Sequence, residues 1–116
     1  MVVGELDEAE VDRIFHALAD ATRRDILTRV IREEQSVSAL ARNYPMSFAA
    51  VQKHVAVLER AALVVKQRRG REQVVHIDVT ALRRAAELLD AYERLWRHRA
   101  RAMEQILAED REGEQP

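Results

Sequence analysis

The sequence predicts a mainly α-helical fold with a small β-hairpin, arranged as a winged helix-turn-helix. A short helical segment, a break at Pro45 and a longer helix capped by Ser47 form the helix-turn-helix pattern. Two β-rich stretches then flank a basic loop that contains Gly70, and a long helical pattern follows. We expect one domain over residues 1–116, with the helix-turn-helix at about 36–62, the wing at about 63–78 and the last helix at about 80–109.

Two further helices are predicted before the helix-turn-helix. The acidic residues that open the chain from Asp7 can cap a first helix, because carboxylates stabilise helix N-termini. Asp20 or Thr22 can cap a second helix. Apolar residues follow helical spacing in both segments, at Val11, Ile14, Phe15 and Leu18 in the first and at Ile26, Leu27, Val30 and Ile31 in the second.

The charge distribution indicates a nucleic-acid-binding surface in the middle of the chain. The net charge of the whole chain is only -1. The segment 36–73, however, carries a charge of +5, from seven Lys and Arg residues against two acids, so the flanks together carry -6. A basic centre is the electrostatic signature of a DNA-contacting surface, although a solvated charged face is the alternative.

The composition argues against several other classes of protein. The chain has no cysteine, which excludes disulfides and thiolate metal ligands. No apolar run is long enough to span a membrane, and the acidic N-terminus does not resemble a secretion signal. We therefore expect a cytoplasmic protein that has no membrane partner.

The longer helix of the predicted helix-turn-helix has the features of a recognition helix. Small and polar residues near its N-terminus would let the backbone approach base edges in the major groove of double-stranded DNA. Phe48 is ambiguous, since it could contact a thymine methyl group or pack inward. The candidate DNA-binding residues on this helix are Ser47, Ala49, Ala50, Gln52, Lys53 and His54.

The predicted wing adds three arginines around a tight turn. Gly70 allows the turn, and Arg68, Arg69 and Arg71 would lie near the minor groove or the phosphates. The alternative is an exposed loop that charge keeps soluble. Because the hairpin follows a helix-turn-helix, we favour contact with DNA.

The last predicted helix is too long to bury its apolar stripe against so small a domain. Four of its apolar residues recur every seven positions, which favours a partner chain and hence a homodimer, although folding back on its own core is the alternative. The first helix could complete the apolar patch. The candidate dimer-interface residues are Val11, Ile14, Phe15, Leu82, Leu89, Tyr92, Trp96 and Met103.

Several segments together resemble the ArsR/SmtB family of regulators. The opening signature of the family is similar to residues 15–27, and its helix-turn-helix is similar to residues 37–41 and 46–58. The entry to its wing is similar to residues 62–64 followed by 69–71. The resemblance covers roughly residues 11–108 with all motifs in order. It implies a winged-helix homodimer, paired through the first and last helices, that represses transcription by occupying an operator.

Two departures from the family pattern matter. The cysteine metal site of many members cannot exist here, and His98 is the only histidine on the last helix, so we expect no metal site and no cofactor. The segment 89–96 resembles instead the metal-independent branch, whose members are often autorepressors. In addition, Ala62 stands where the family usually has a glycine, so it must use a different helix cap or accept a left-handed backbone.

The sequence leaves three alternative functions to be weighed against a DNA-binding repressor. A metal- or ligand-sensing repressor of the same fold would differ only in having an effector site. A protein-interaction module that has lost DNA binding would not need the basic segment. An enzyme is disfavoured, because the four histidines fall on four predicted elements and no phosphate-binding glycine loop exists, so we expect no catalytic residues.

Overall fold

The computed structural model describes residues 7–113 as five helices and three strands. The predicted domain of residues 1–116 therefore extends past the described residues at both ends. The helices are α1 (Glu8–Leu18), α2 (Ala21–Arg32), α3 (Val37–Ala41), α4 (Phe48–Arg60) and α5 (Val79–Gly113). The strands are β1 (Gln35–Ser36), β2 (Val64–Arg69) and β3 (Glu72–Ile77). This order confirms the mainly helical fold with a hairpin wing.

Side-chain caps set the starts of the first four helices. Asp7 and Asp20 each accept a hydrogen bond from the backbone N–H three residues later, at 2.7 and 3.0 Å. Ser36 and Ser47 do the same for α3 and α4, at 3.0 and 3.1 Å. These short-range contacts satisfy backbone donors that have no partner within the helix. The caps predicted at Asp7 and Ser47 are thus confirmed, and Asp20 rather than Thr22 caps the second helix.

The wing is the hairpin of β2 and β3, extended by a third strand. The antiparallel register runs from Val64 opposite Ile77 to Arg69 opposite Glu72. Gly70 forms the turn with a φ of +62°, a conformation that glycine adopts without steric cost. The two-residue strand β1 pairs with the other edge of β3, giving the strand order β1-β3-β2. The sequence did not predict β1, which ties the end of α2 to the wing.

The core is built around α4 and the helices before it. Val51, Val55 and Leu58 on α4 are fully buried, as are Ile26 on α2 and Leu40 on α3. Ile14 on α1 is only 2% exposed and belongs to the same cluster. A side chain enclosed by its own chain offers little area to a partner, so its assignment to a dimer interface stays a prediction that its burial does not support.

The end of α4 accommodates a non-glycine residue in a left-handed conformation. Ala62 has a φ of +59°. Its N–H donates to the Glu59 carbonyl at 2.9 Å, and the Leu63 N–H donates to the Leu58 carbonyl at 3.0 Å. These two bonds are those of a Schellman motif, in which glycine usually occupies the left-handed position. Of the two possibilities that the sequence left open, the chain accepts the strained backbone.

The chain divides into two compact units between Ala85 and Ala86. The first contains the helix-turn-helix, the sheet and the first residues of α5, where Ala81 and Ala85 are buried. The second contains the rest of α5. Ion pairs four residues apart, Arg94 with Asp90 and Arg97 with Glu93, support this helix locally. Within residues 7–113, none of the helices combines the length and the apolarity needed to cross a membrane.

We predict that Ala62→Gly stabilises the protein. A left-handed conformation costs an L-residue about 1–2 kcal/mol, and glycine avoids that cost. Urea unfolding should show a gain of about 1 kcal/mol. Ala19→Gly is the control, since Ala19 ends α1 with a φ of -80° and glycine there should not stabilise. A stability of Ala62→Gly equal to or below that of the parent would contradict the strain argument.

Candidate nucleic-acid interface

Burial on one side of α4 leaves the other side open. Val51, Val55 and Leu58 face the core, whereas Gln52 and Lys53 are exposed. Ser47 and Ala49 are also exposed at the N-terminal end of the helix, and Ala50 is half-buried. The predicted contact residues of the N-terminal part thus share an accessible surface with little side-chain bulk, which is the geometry required to approach base edges.

His54, which the sequence also predicts to contact DNA, is half-buried on the flank of α4. Its Nδ1 atom lies 3.2 Å from Arg23 Nη1 and 3.9 Å from Asp20 Oδ2. Arg23 also donates to the carbonyls of Ala17 and His16, at 2.9 and 3.0 Å. His54 therefore ties α4 to the α1–α2 junction through Nδ1, and its contact with DNA stays a prediction.

Asp20 links this junction to a helix start. Its pKa is lowered, first by the hydrogen bond from the Arg23 backbone N–H and then by the positive charge of Arg23. The ionised carboxylate caps α2 through the Arg23 backbone N–H. Asp20 therefore fixes the entry to α2, while the Arg23 guanidinium holds the flank of α4 through His54.

The turn before α4 is fixed by a tyrosine–carboxylate contact. The Tyr44 hydroxyl donates to Asp25 Oδ2 at 2.6 Å, and Arg29 Nε donates to the same oxygen at 2.8 Å. The Arg29 guanidinium lies 5.8 Å from the Tyr44 ring centre, within cation–π range. The Tyr44 hydrogen bond, and then that of Arg29, lower the pKa of Asp25. Burial and the Asp25 carboxylate raise the pKa of Tyr44 to about 12.

The three wing arginines have different partners. Arg69 Nη1 donates to Glu34 Oε1 at 2.6 Å, and Glu34 Oε2 lies 2.7 Å from His76 Nδ1. The Arg69 hydrogen bond is the first cause of the lowered pKa of Glu34. Arg68 Nε donates to the Gly70 carbonyl at 3.2 Å. Arg71 makes no ion pair with any residue in 7–113. The hairpin is thus anchored by Arg69, while Arg71 remains accessible at the tip.

A cleft of about 250 Å³ separates α4 from the wing. Phe48 and Gln52 line it from α4, and Lys66 and Arg71 line it from the hairpin. Phe48 is 46% exposed, so it does not pack into the core. Of the two possibilities that the sequence left open, inward packing is therefore not the one adopted, and contact with a thymine methyl group stays a prediction.

The apolar side chains predicted for a dimer interface fall into two groups. Leu89, Tyr92, Trp96 and Met103 on the second unit are all about half exposed or more, with Trp96 at 61%. Val11, Phe15 and Leu82 on the first unit are half-buried, and the last two pack against the core. The structure also exposes Leu95, Ile106 and Leu107, which the prediction omitted.

The described residues contain no cluster of three or more His, Cys, Asp or Glu side chains that could hold a metal ion. His76 and Glu34 are close, but Arg69 occupies the same carboxylate. The arrangement of the remaining site residues therefore favours contacts made by exposed polar and basic side chains.

Removing the Tyr44 hydroxyl should destabilise the protein in a pH-dependent way. Because the pKa of Asp25 is lowered in the folded state, its contribution is present above the ordinary carboxyl pKa of 3.8 and is lost as the pH falls through the lowered value. Tyr44→Phe should cost about 1 kcal/mol at neutral pH and less in acid, measured by urea unfolding. An equal loss at both pH values would contradict this contact.

Comparisons with known proteins agree with this geometry. A family described as a helix-turn-helix domain matches residues 18–67. The HTH-type transcriptional regulator Rv2034 of Mycobacterium tuberculosis is 37% identical over 103 residues, which cover 89% of this chain and 92% of that protein.

Solved structures extend the similarity to the fold. An ArsR-like transcriptional regulator from Rhodococcus sp. RHA1 has a TM-score of 0.74 and 37% identity, covering 84% of this chain and 92% of its own. The homodimeric winged helix-turn-helix DNA-binding domain of Mb0332 from Mycobacterium bovis has a TM-score of 0.61 and 26% identity, covering 73% and 80%. The open face of α4, the adjoining basic wing and these relatives together show that the chain belongs to the ArsR/SmtB-like family of winged helix-turn-helix transcriptional regulators.

Proposed function

We propose that the protein binds double-stranded DNA as a homodimer and represses transcription at a palindromic operator. The observation that carries the proposal is the exposed N-terminal face of α4 beside a basic hairpin. An α-helix fits the major groove, and a wing next to it can reach the adjoining backbone. Repression follows if the occupied operator overlaps a promoter, including the promoter of the protein's own gene.

Within this proposal, each group of residues has a distinct role. Gln52 can pair with adenine, and Lys53 can contact guanine or a phosphate. Arg68 and Arg71 contact the minor groove or the backbone, whereas Arg69 holds the hairpin through Glu34. The helix N-terminus at Ser47 adds backbone N–H groups near a phosphate. The proposal includes no cofactor and no catalytic step, and it places the protein with the chromosome in the cytoplasm.

The homodimer is supported by the exposed apolar stripe of α5. Leu89, Trp96 and Met103 recur every seven residues. Tyr92 lies between the first two and Ile106 follows Met103, at steps of three or four. Exposed apolar stripes with this spacing pair with a second helix. The related domain from Mycobacterium bovis is homodimeric. Two copies related by a two-fold axis would read two half-sites about one helical turn apart, or a multiple of that distance.

The recognition helix can be tested with a bound sequence selected from random duplexes. Replacing Gln52 and Lys53 together with alanine should weaken binding to that sequence by at least about tenfold, since each good base contact contributes about 1–3 kcal/mol. Titration at several salt concentrations measures affinity and the number of phosphate contacts. Arg13→Ala on α1 removes a charge away from this face and should leave affinity nearly unchanged. Undiminished binding by the double variant would place the DNA interface elsewhere.

The dimer can be tested with charges in the apolar stripe. Trp96→Glu with Leu89→Glu should give monomers at micromolar concentration, because each change places a carboxylate in an apolar seam. Sedimentation velocity measures the result, and operator affinity should fall together with dimerisation. Arg101→Glu with Gln105→Glu adds two carboxylates on another face of the same helix and should leave the dimer intact. A dimer that persists in the first variant would show that the stripe is not the interface.

A further inference from the structure

We propose that the cleft between α4 and the wing seats one strand of the operator, with a thymine methyl group on Phe48 and the neighbouring phosphate on Arg71. This inference rests on the proposed DNA-binding function and adds a base preference to it. It assigns a specificity role to an aromatic residue that sequence patterns alone left undecided.

Phe48 lies at the N-terminal end of the recognition helix. It is the first residue of α4, directly after the Ser47 cap. Residues at the N-terminal end of a recognition helix are those that reach base edges. The side chain is 46% exposed, although a core side chain of this size would normally be enclosed. An apolar ring held at this position gains by covering an apolar group of the ligand.

The two walls of the cleft differ in chemistry. Phe48 and Gln52 lie one helical turn apart and line the same wall. Lys66 and Arg71 line the opposite wall, together with the carboxylate of Glu72. Lys66 also faces Glu59 at 3.4 Å. Of the two cations that line the cleft, Arg71 is therefore the one that makes no ion pair with another residue in 7–113. The cleft thus has an apolar and amide side on α4 and a cationic side on the hairpin.

A strand of DNA matches both sides. The thymine 5-methyl is the apolar group that base pairs present in the major groove, and phenylalanine contacts it without a hydrogen bond. The phosphates run along the outer edge of the same strand, where arginine can bind them with two hydrogen bonds. Gln52, one turn further along α4, then faces an adjacent base. A strand lying in the cleft would therefore place a thymine, rather than a cytosine, next to Phe48.

The experiment uses a duplex selected by the full-length protein, with each thymidine replaced in turn by deoxyuridine. This change removes only the methyl group. At one position in each half-site the parent should lose about three- to fourfold in affinity, the factor that corresponds to one buried methyl group. Phe48→Ala should bind the thymidine duplex more weakly and show no further loss with deoxyuridine. Arg71→Ala should weaken binding to all sequences evenly and reduce the salt slope by about one.

Ile31→Ala is the matched control, because Ile31 is a comparably exposed apolar residue on α2, outside the cleft. It should keep the full deoxyuridine effect, and thermal melting should show that Phe48→Ala remains folded. If the parent binds its site, and each deoxyuridine substitution changes the affinity of Phe48→Ala as much as that of the parent, the inference is wrong and the proposed function stands. If the parent shows no salt-dependent binding to any duplex, the proposed function itself fails.

Discussion

The burial of one side of α4 is the constraint on which the rest of the structure depends. Val51, Val55 and Leu58 are fully enclosed, so the rotation of the helix about its axis is fixed by close packing. A helix fixed in this way presents the same residues outward at all times, and Gln52 and Lys53 are among them. The polar contacts around α4 then refine its position. His54 holds its flank through Arg23, and Tyr44 holds the turn before it through Asp25. The position of the recognition surface is therefore set by the core, and of its residues Ser47 also stabilises α4 as its N-cap.

Carboxylates that pair with basic side chains determine which arginines and lysines stay accessible to a ligand. Glu34 engages Arg69, Glu59 faces Lys66, and Asp25 engages Arg29. Each pair is largely exposed, so its contribution to stability is small, and its main effect is on side-chain position. An arginine held by a carboxylate must give up that contact before it can bind a phosphate. Arg68 and Arg71 have no such partner in residues 7–113, and Arg68 donates only to the Gly70 carbonyl, so these two wing arginines are better prepared than Arg69 to meet DNA.

The sequence predicted the features that depend on contacts between residues close together along the chain. It did not predict the features that depend on contacts between residues far apart along the chain. The caps Asp7 and Ser47 bond to atoms three residues away, so local pattern was sufficient to find them. The strand β1 has only two residues and no periodicity, and it exists because β3 offers an unpaired edge. The engagement of His54 depends on Arg23, which lies 31 residues away along the chain. The burial of Ile14 likewise depends on how α1 packs, because helical spacing identifies an apolar face but not what covers it.

The apolar stripe of α5 is interrupted in a way that bears on how two copies would pair. Between Trp96 and Met103 the seven-residue pattern places Arg99 at an interface position, and this residue is exposed in the single chain. A stripe of apolar residues alone permits several registers of similar energy, whereas one polar residue penalises every register that encloses it in apolar surroundings. In the proposed homodimer Arg99 therefore favours the alignment that keeps its guanidinium near solvent or a carboxylate of the partner.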